Sequence, residues 1–181
     1  MTLRPRLRQL ALTAHVAASV GWLGAVVVFL ALAALGLTSA HEPTVRGVYL
    51  VMEPAAWCVL VPAALASLLT GLVSALGTTW GLFRHYWVLC KLLINVVATT
   101  ILLLYMETFR LMADVAADPS ADLGAVRNPS PLLHAALAAL ALLVAMVLAV
   151  FKPRGMTRYG WRKRHQQGPA PRASQMLPTD P

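Results

Sequence analysis

From Leu10 to Leu37 this chain carries no Asp, Glu, Lys or Arg, and that absence limits its fold more than any other feature. An uncharged apolar run of roughly 20 residues or more matches a hydrocarbon core about 30 Å thick. Three further runs follow, over about 55–76, 87–106 and 132–151. Within lipid a backbone can satisfy its polar groups only as a helix or a closed barrel. Runs of this length specify helices. The expected fold is therefore all-α: four transmembrane helices in an antiparallel bundle, with both termini on one side of the lipid bilayer. The first run is far longer than the roughly 7–15 apolar residues of a secretory signal, so it reads as a retained span.

Only 12% of the 181 residues are charged and 59% are apolar, whereas a soluble domain carries about a quarter charged residues. The net charge of +8 raises nucleic acid as a partner, but its placement excludes that reading. The head holds Arg4, Arg6 and Arg8, the short central loop Arg84, and the tail seven more from Lys152 to Arg172. The two longer loops hold only Arg46, Arg110 and Arg127, while six of the seven acids lie between residues 42 and 122. This asymmetry is a positive-inside topology signal, so both termini are expected in the cytoplasm of a cell-membrane protein. Trp57, Trp80, Tyr86, Trp87, Tyr159 and Trp161 fall near span ends, as interfacial aromatics do.

The expected organisation is a basic head over 1–9, a four-helix domain over 10–159, and a basic tail over 160–181. The tail is expected to be disordered from His165 on, being rich in Pro and Gly without apolar periodicity. Pro54 is expected to open the second span, where a missing N–H costs little, and Pro62 to kink it. Small residues offer helix contacts in lipid: Ala11, Ala14, Ala18, Gly21 and Ala25 on the first span, and Ala138, Ala141, Ala145 and Ala149 on the fourth. The second presents Ser67, Gly71, Ser74 and Thr78, and the third Lys91, Asn95 and Thr99. Cys58 and Cys90 belong to opposite membrane faces, beyond the roughly 4.4–6.8 Å Cα separation of a disulfide. No Cys-x-x-Cys pair is present, which argues against thiol oxidoreduction.

Two polar levels stand out. Near the basic end, Lys91 lies about a turn and a half into its span, where an uncompensated cation costs about 2.5–3.5 kcal/mol. It either snorkels to the headgroups or meets an anionic ligand group beside Asn95. His15 lies at a similar depth, with Ser19 and Trp22 continuing its face. It is either an interhelical hydrogen-bonding group or a ligand, since neutral imidazole suits haem iron, copper or zinc. His85 stands at the mouth of the third span. At the other end Met52, Glu53, Met106 and His134, with Glu107 and His41 nearby, form a candidate copper set, because thioethers favour Cu(I). His134 continues the alanine stripe and is expected to point inward. Phosphate loops, metalloprotease His-Glu pairs, zinc patterns and nucleophile elbows are all missing, so no catalytic set is readable.

The run His15-Val-Ala-Ala-Ser-Val-Gly-Trp22-Leu-Gly24 resembles the first-helix signature of bacterial copper-resistance protein D and of the HemJ type of protoporphyrinogen oxidase. The stretch His85-Tyr-Trp-Val-Leu-Cys-Lys91-Leu is similar to the Lys-bearing helix start of those families. The chain to about Tyr159, including Lys152-Pro-Arg-Gly-Met-Thr-Arg-Tyr-Gly-Trp-Arg, resembles four-helix membrane proteins of GC-rich bacteria that carry no assigned activity. The wider resemblance implies handling of haem b or copper. His15 would then ligate iron, with His85 or another residue opposite, and Lys91 and Asn95 would hold propionates. The chain lacks the longer multi-span body of the copper-resistance type. A copper or small-solute transport accessory, and a non-catalytic subunit of a homo-oligomer or larger membrane complex, are the other readings that these features permit.

Overall fold

The structure is a computed structural model that describes residues 4–77, 82–153, 155–158 and 160–162. Four long apolar helices are formed: α1 (Pro5–Thr38), a second built from α2 (Glu42–Ala55), a π turn (Ala56–Leu60) and α3 (Val61–Leu76), then α4 (Tyr86–Ala117) and α5 (Ser130–Phe151). No strand occurs among the described residues. All four helices are long and apolar enough to cross a bilayer, and the chain is an integral membrane protein. They pack as a ring in chain order: α1 lies against α2–α3 and α5, and α4 against α2–α3 and α5. The start of α1, the end of α5 and the turn before α4 share a basic end, and the 39–41 and 118–129 connections share the opposite, acidic end. Trp80, Tyr159, Thr78 and the tail from His165 lie outside the described residues.

α1 and α5 match the expected spans closely, while α2–α3 and α4 exceed them. The second helix begins at Glu42 rather than at Ala55, so Pro54 lies inside it and not at its start. Each interior proline removes one backbone hydrogen bond and crowds the preceding turn. The chain absorbs both by widening to a π turn between Pro54 and Pro62, with the Val61 N–H reaching back to the Ala56 carbonyl. A π bulge relieves an α-helix in this way. Trp57, expected near a span end, falls within that wide turn. At about 1.5 Å per residue, the 35-residue helix Glu42–Leu76 is well over 30 Å long, so its acidic end projects beyond the hydrocarbon.

That projecting part packs as a soluble protein does. Val45, Val48, Tyr49 and Met52 of α2 meet Phe29 and Ala33 of α1, and Met106, Phe109, Met112 and Ala116 of α4; Leu123 and Val126 of the 118–129 loop close over them. All eight of the helical residues in the α2 and α4 sets, and the two loop residues, are buried. Water drives this burial, a force that is weak between helices in lipid. Tyr49 fits against α1 because position 36 is glycine: a Cβ there would meet its ring at 3.1 Å.

Arg46 fastens the loop to this core. Its Nη1 donates to the Asp118 carbonyl at 2.6 Å and the Ala116 carbonyl at 3.3 Å, and its Nη2 to the Ala121 carbonyl at 3.0 Å. Glu42 holds the same guanidinium at 2.7 Å. The last carbonyls of α4 thereby gain a cationic cap, where the helix dipole favours one. Arg127 serves α1 similarly, donating to the Ser39 carbonyl at 2.7 Å. Within the loop, the Ser120 hydroxyl and backbone N–H bond to the Asp118 carboxylate and hold its pKa below the usual value.

At the basic end a clip joins the segment after α5 to the turn before α4. The Thr157 N–H donates to the Arg84 carbonyl at 3.0 Å, and the Thr157 hydroxyl donates to the Phe83 carbonyl. Lys152 turns the chain out of α5 in the left-handed region at φ 43. Position 160 must be glycine for the clip to close, since a Cβ would lie 2.5 Å from the Arg84 carbonyl oxygen.

Candidate functional site: a polar ladder and a lateral cavity

Of the expected inner residues, His15 and Asn95 belong to one network spanning three helices. The His15 Nδ1–H donates to the Ser67 carbonyl at 3.1 Å. Ser19 and Ser67 hydroxyls meet at 2.9 Å, and the Ser67 hydroxyl reaches Asn95 Oδ1 at 3.3 Å. Asn95 donates in turn to the Lys91 carbonyl at 3.3 Å, and Ser74 to the Ala11 carbonyl at 3.3 Å. Gly71 gives the imidazole its place: a Cβ there would meet His15 Cε1 at 3.0 Å. Ser67 is only 1% exposed and Asn95 is buried. Thr99, one turn beyond Asn95, has a buried hydroxyl with no hydrogen-bond partner among the described groups.

Lys91 does not join through its ammonium. Its Nζ lies 6.0 Å from the centre of the Trp87 ring, one turn nearer the basic end, at the outer limit of a cation–π contact. His85 stands in the clip: it precedes α4, pairs its backbone with Met156, and tilts its ring 6.5 Å from that of Trp87.

The contact face of α1 follows the expected alanine stripe only in part. Ala11, Ala18 and Ala25 are half-buried, with Ala25 against the core, but Ala14 and Gly21 are exposed, and the most buried residues are Trp22, Val26, Phe29, Ala33 and Gly36, in register with Ser19 and His15. That alternation of three and four is the spacing of left-handed helix packing. On α5, Leu142 and Ala145 are buried, while His134 is exposed rather than pointing into the bundle.

The space available for a ligand lies elsewhere, between α4 and α5. A cavity of about 640 Å³ is lined by Trp22, Val26 and Phe29 of α1, Met52 of α2, Tyr105 and Phe109 of α4, and His134, Ala135, Ala138 and Ala141 of α5, among others. No charged residue lines it. Leu93, Leu137 and Leu140 at its rim are 64, 64 and 59% exposed, so the cavity meets the bilayer sideways. The alanines that composition marks as helix contacts instead leave room: Ala138 and Ala141 line the void, and only Ala145 is buried.

One end of the cavity is polar. The His134 Nδ1–H donates to the Ser130 carbonyl at 2.8 Å, because a carbonyl only accepts. The ring rests on Tyr105 with centroids 4.4 Å apart, and the Tyr105 hydroxyl meets the Ser130 hydroxyl at 2.9 Å. Nδ1 being occupied, the lone pair of the neutral ring is on Nε2. Of the expected copper set, Met52 and His134 line this cavity, Met106 is buried in the core without lining it, and Glu53 is half-buried on α2. Glu107 pairs with Arg110 at 2.7 Å on the surface, and His41 bonds Thr44 at 3.0 Å. Among the described residues, no three His, Cys, Asp or Glu side chains gather where they could hold a metal ion.

Comparison with protein-family models, curated proteins and solved structures finds no match. Geometry alone must carry the functional reading. It gives different characters to the two levels that the sequence distinguishes: a filled polar ladder around His15, and an apolar cavity ending at His134.

Proposed function

We propose that the protein is a membrane-embedded binding protein for an elongated lipid-soluble molecule that enters from the bilayer between α4 and α5. The observation carrying this reading is the laterally open cavity of about 640 Å³. Ligand sites of this scale, mostly apolar with a few polar groups at one place, are the common form of small-molecule pockets. The excess of Lys and Arg at the termini and at Arg84 supports placing that end in the cytoplasm, which puts His134 at the far face of the cell membrane.

The test is to fill the space. Ala138→Phe adds an aromatic ring inside the cavity while leaving the ladder intact. Organic extracts of the detergent-purified protein, read by mass spectrometry, should contain an apolar molecule at near-equal stoichiometry for the native chain. The variant should lose at least ten-fold of it. Equal extracts from both proteins would defeat the reading.

Haem b is a second occupant that one observation favours. An axial imidazole needs a lone pair at one nitrogen and an anchored hydrogen at the other, and both His15 and His134 are held in that form by backbone carbonyls. The ring of His15 abuts Gly71 inside a filled network, whereas His134 borders the open volume, so the fit is better at His134 than at His15. After haem supplementation, this reading requires a Soret band that His134→Ala removes and His15→Ala leaves. Loss only in His15→Ala would return the site to the inner level, and a spectrum without the band would remove haem altogether.

A further inference from the structure

We infer that the occupant of the cavity is a single-chain lipid alcohol: an isoprenoid or alkyl chain ending in a hydroxyl that donates a hydrogen bond to His134 Nε2. This rests on the cavity reading above and adds the chemistry of the head group.

Shape comes first. Pro131 and Val144 mark the lining along α5, and at about 1.5 Å per residue they are roughly 20 Å apart. Spread over that length, a volume of about 640 Å³ leaves a mean cross-section of about 30 Å². A single hydrocarbon chain fills such a section, while a two-chain phospholipid or a globular solute does not. The exposed leucines of the rim let a chain slide in from the bilayer without crossing a polar barrier.

The head group follows from charge and from the tautomer. With no Lys, Arg, Asp or Glu in the lining, a phosphate, ammonium or carboxylate head would be desolvated without a counter-charge, which costs far more than a neutral group. A neutral polar head remains. The Tyr105 and Ser130 hydroxyls share one hydrogen bond in which either donates, and His134 Nδ1 is taken by the Ser130 carbonyl. Besides the one O–H hydrogen those two hydroxyls leave over, the site offers an acceptor, the lone pair on Nε2. A hydroxyl satisfies an acceptor; a ketone, an ester or an ether does not, because none of them donates.

The test uses the full-length protein in detergent and a matched pair of probes, geranylgeraniol and its methyl ether, with palmitate as a third. Trp22 is 2% exposed and lines the cavity, so filling should change its fluorescence, identified by difference from Trp22→Phe. The alcohol should bind roughly ten-fold more tightly than the ether, the upper range for one hydrogen bond. His134→Ala should bring the two to equal affinity without abolishing binding, and His134→Gln, whose side-chain oxygen also accepts, should restore part of the preference. Equal binding of alcohol and ether to the native chain would overturn the head-group assignment while leaving the cavity reading in place. Failure of both probes to bind would remove the two together. Tighter binding of palmitate would replace the alcohol by a carboxylate lipid.

Discussion

Arg46→Met is expected to lower the stability of the detergent-solubilised protein by about 3 kcal/mol, since hydrogen bonds from a charged donor contribute about 1.5–3 kcal/mol and several are lost together. Methionine keeps much of the apolar stem but none of the donors. The carbonyls of Ala116, Asp118 and Ala121, now bound by one guanidinium, would be left to water. The Glu42 pair adds little, because that carboxylate is 61% exposed and surface ion pairs contribute at most about 1 kcal/mol. Thermal unfolding should show the loss, and limited proteolysis should cut first between residues 118 and 129. A variant with native stability and an uncut loop would mean that the buried Leu123 and Val126 hold the loop without Arg46.

Ser67→Leu should be comparably damaging, by about 3–4 kcal/mol, at the other end of the molecule. Ser67 stands where α1, α3 and α4 meet, and its hydroxyl joins Ser19 to Asn95. A leucine overfills a packed junction, at a cost of about 1–3 kcal/mol, and also orphans the Asn95 carboxamide oxygen, which costs about 1–3 kcal/mol more. Ser67→Ala separates these effects. It removes the hydrogen bonds without overpacking, and interhelical hydrogen bonds in membranes average only about 0.6 kcal/mol, so its loss should be near 1 kcal/mol. Unfolding in graded denaturing detergent reads both variants. If the leucine variant were no worse than the alanine variant, the junction would have to be loosely packed.

The number and type of the helices are legible in the sequence because a bilayer admits so few alternatives. α1 and α5 are placed within a few residues. The start of α2 and the end of α4 are missed for one reason: beyond the hydrocarbon, helix carries charge, and turns containing Glu42, Arg46, Glu107 and Arg110 do not look like span. Pro54 misleads further, because a proline reads as a helix start and the π turn that tolerates it has no sequence signature of its own. The contact faces are harder. In lipid a leucine facing outward and a leucine facing inward are chemically alike, so Ala14 and Gly21 look as eligible for packing as Trp22 and Phe29. At the ladder the polar residues mark the right faces, and His15 and Asn95 do meet through Ser67. The cavity is read backwards, because small residues signal either close approach or empty space. Ala145 packs, whereas Ala138 and Ala141 leave room, and nothing in the residue type distinguishes them.

The weak burial of α5 has a consequence for how the molecule behaves once assembled. Over its most apolar window only 11% of α5 is buried, against 28% for α1. α1, α3 and α4 are linked by the buried hydroxyl and amide network of Ser67 and Asn95, whereas α5 leans on them through Pro131, Leu142 and Ala145. Three helices thus form a frame, and the fourth is fastened to it near its two ends, by the Tyr105–Ser130 pair at its start and by the Thr157 clip beyond its last turn. Bowing α5 outward between those fastenings trades protein contacts for lipid contacts of nearly the same quality. The void beside it can therefore widen at mid-length and narrow again at little cost, while the His134 end, next to the first fastening, keeps its geometry throughout.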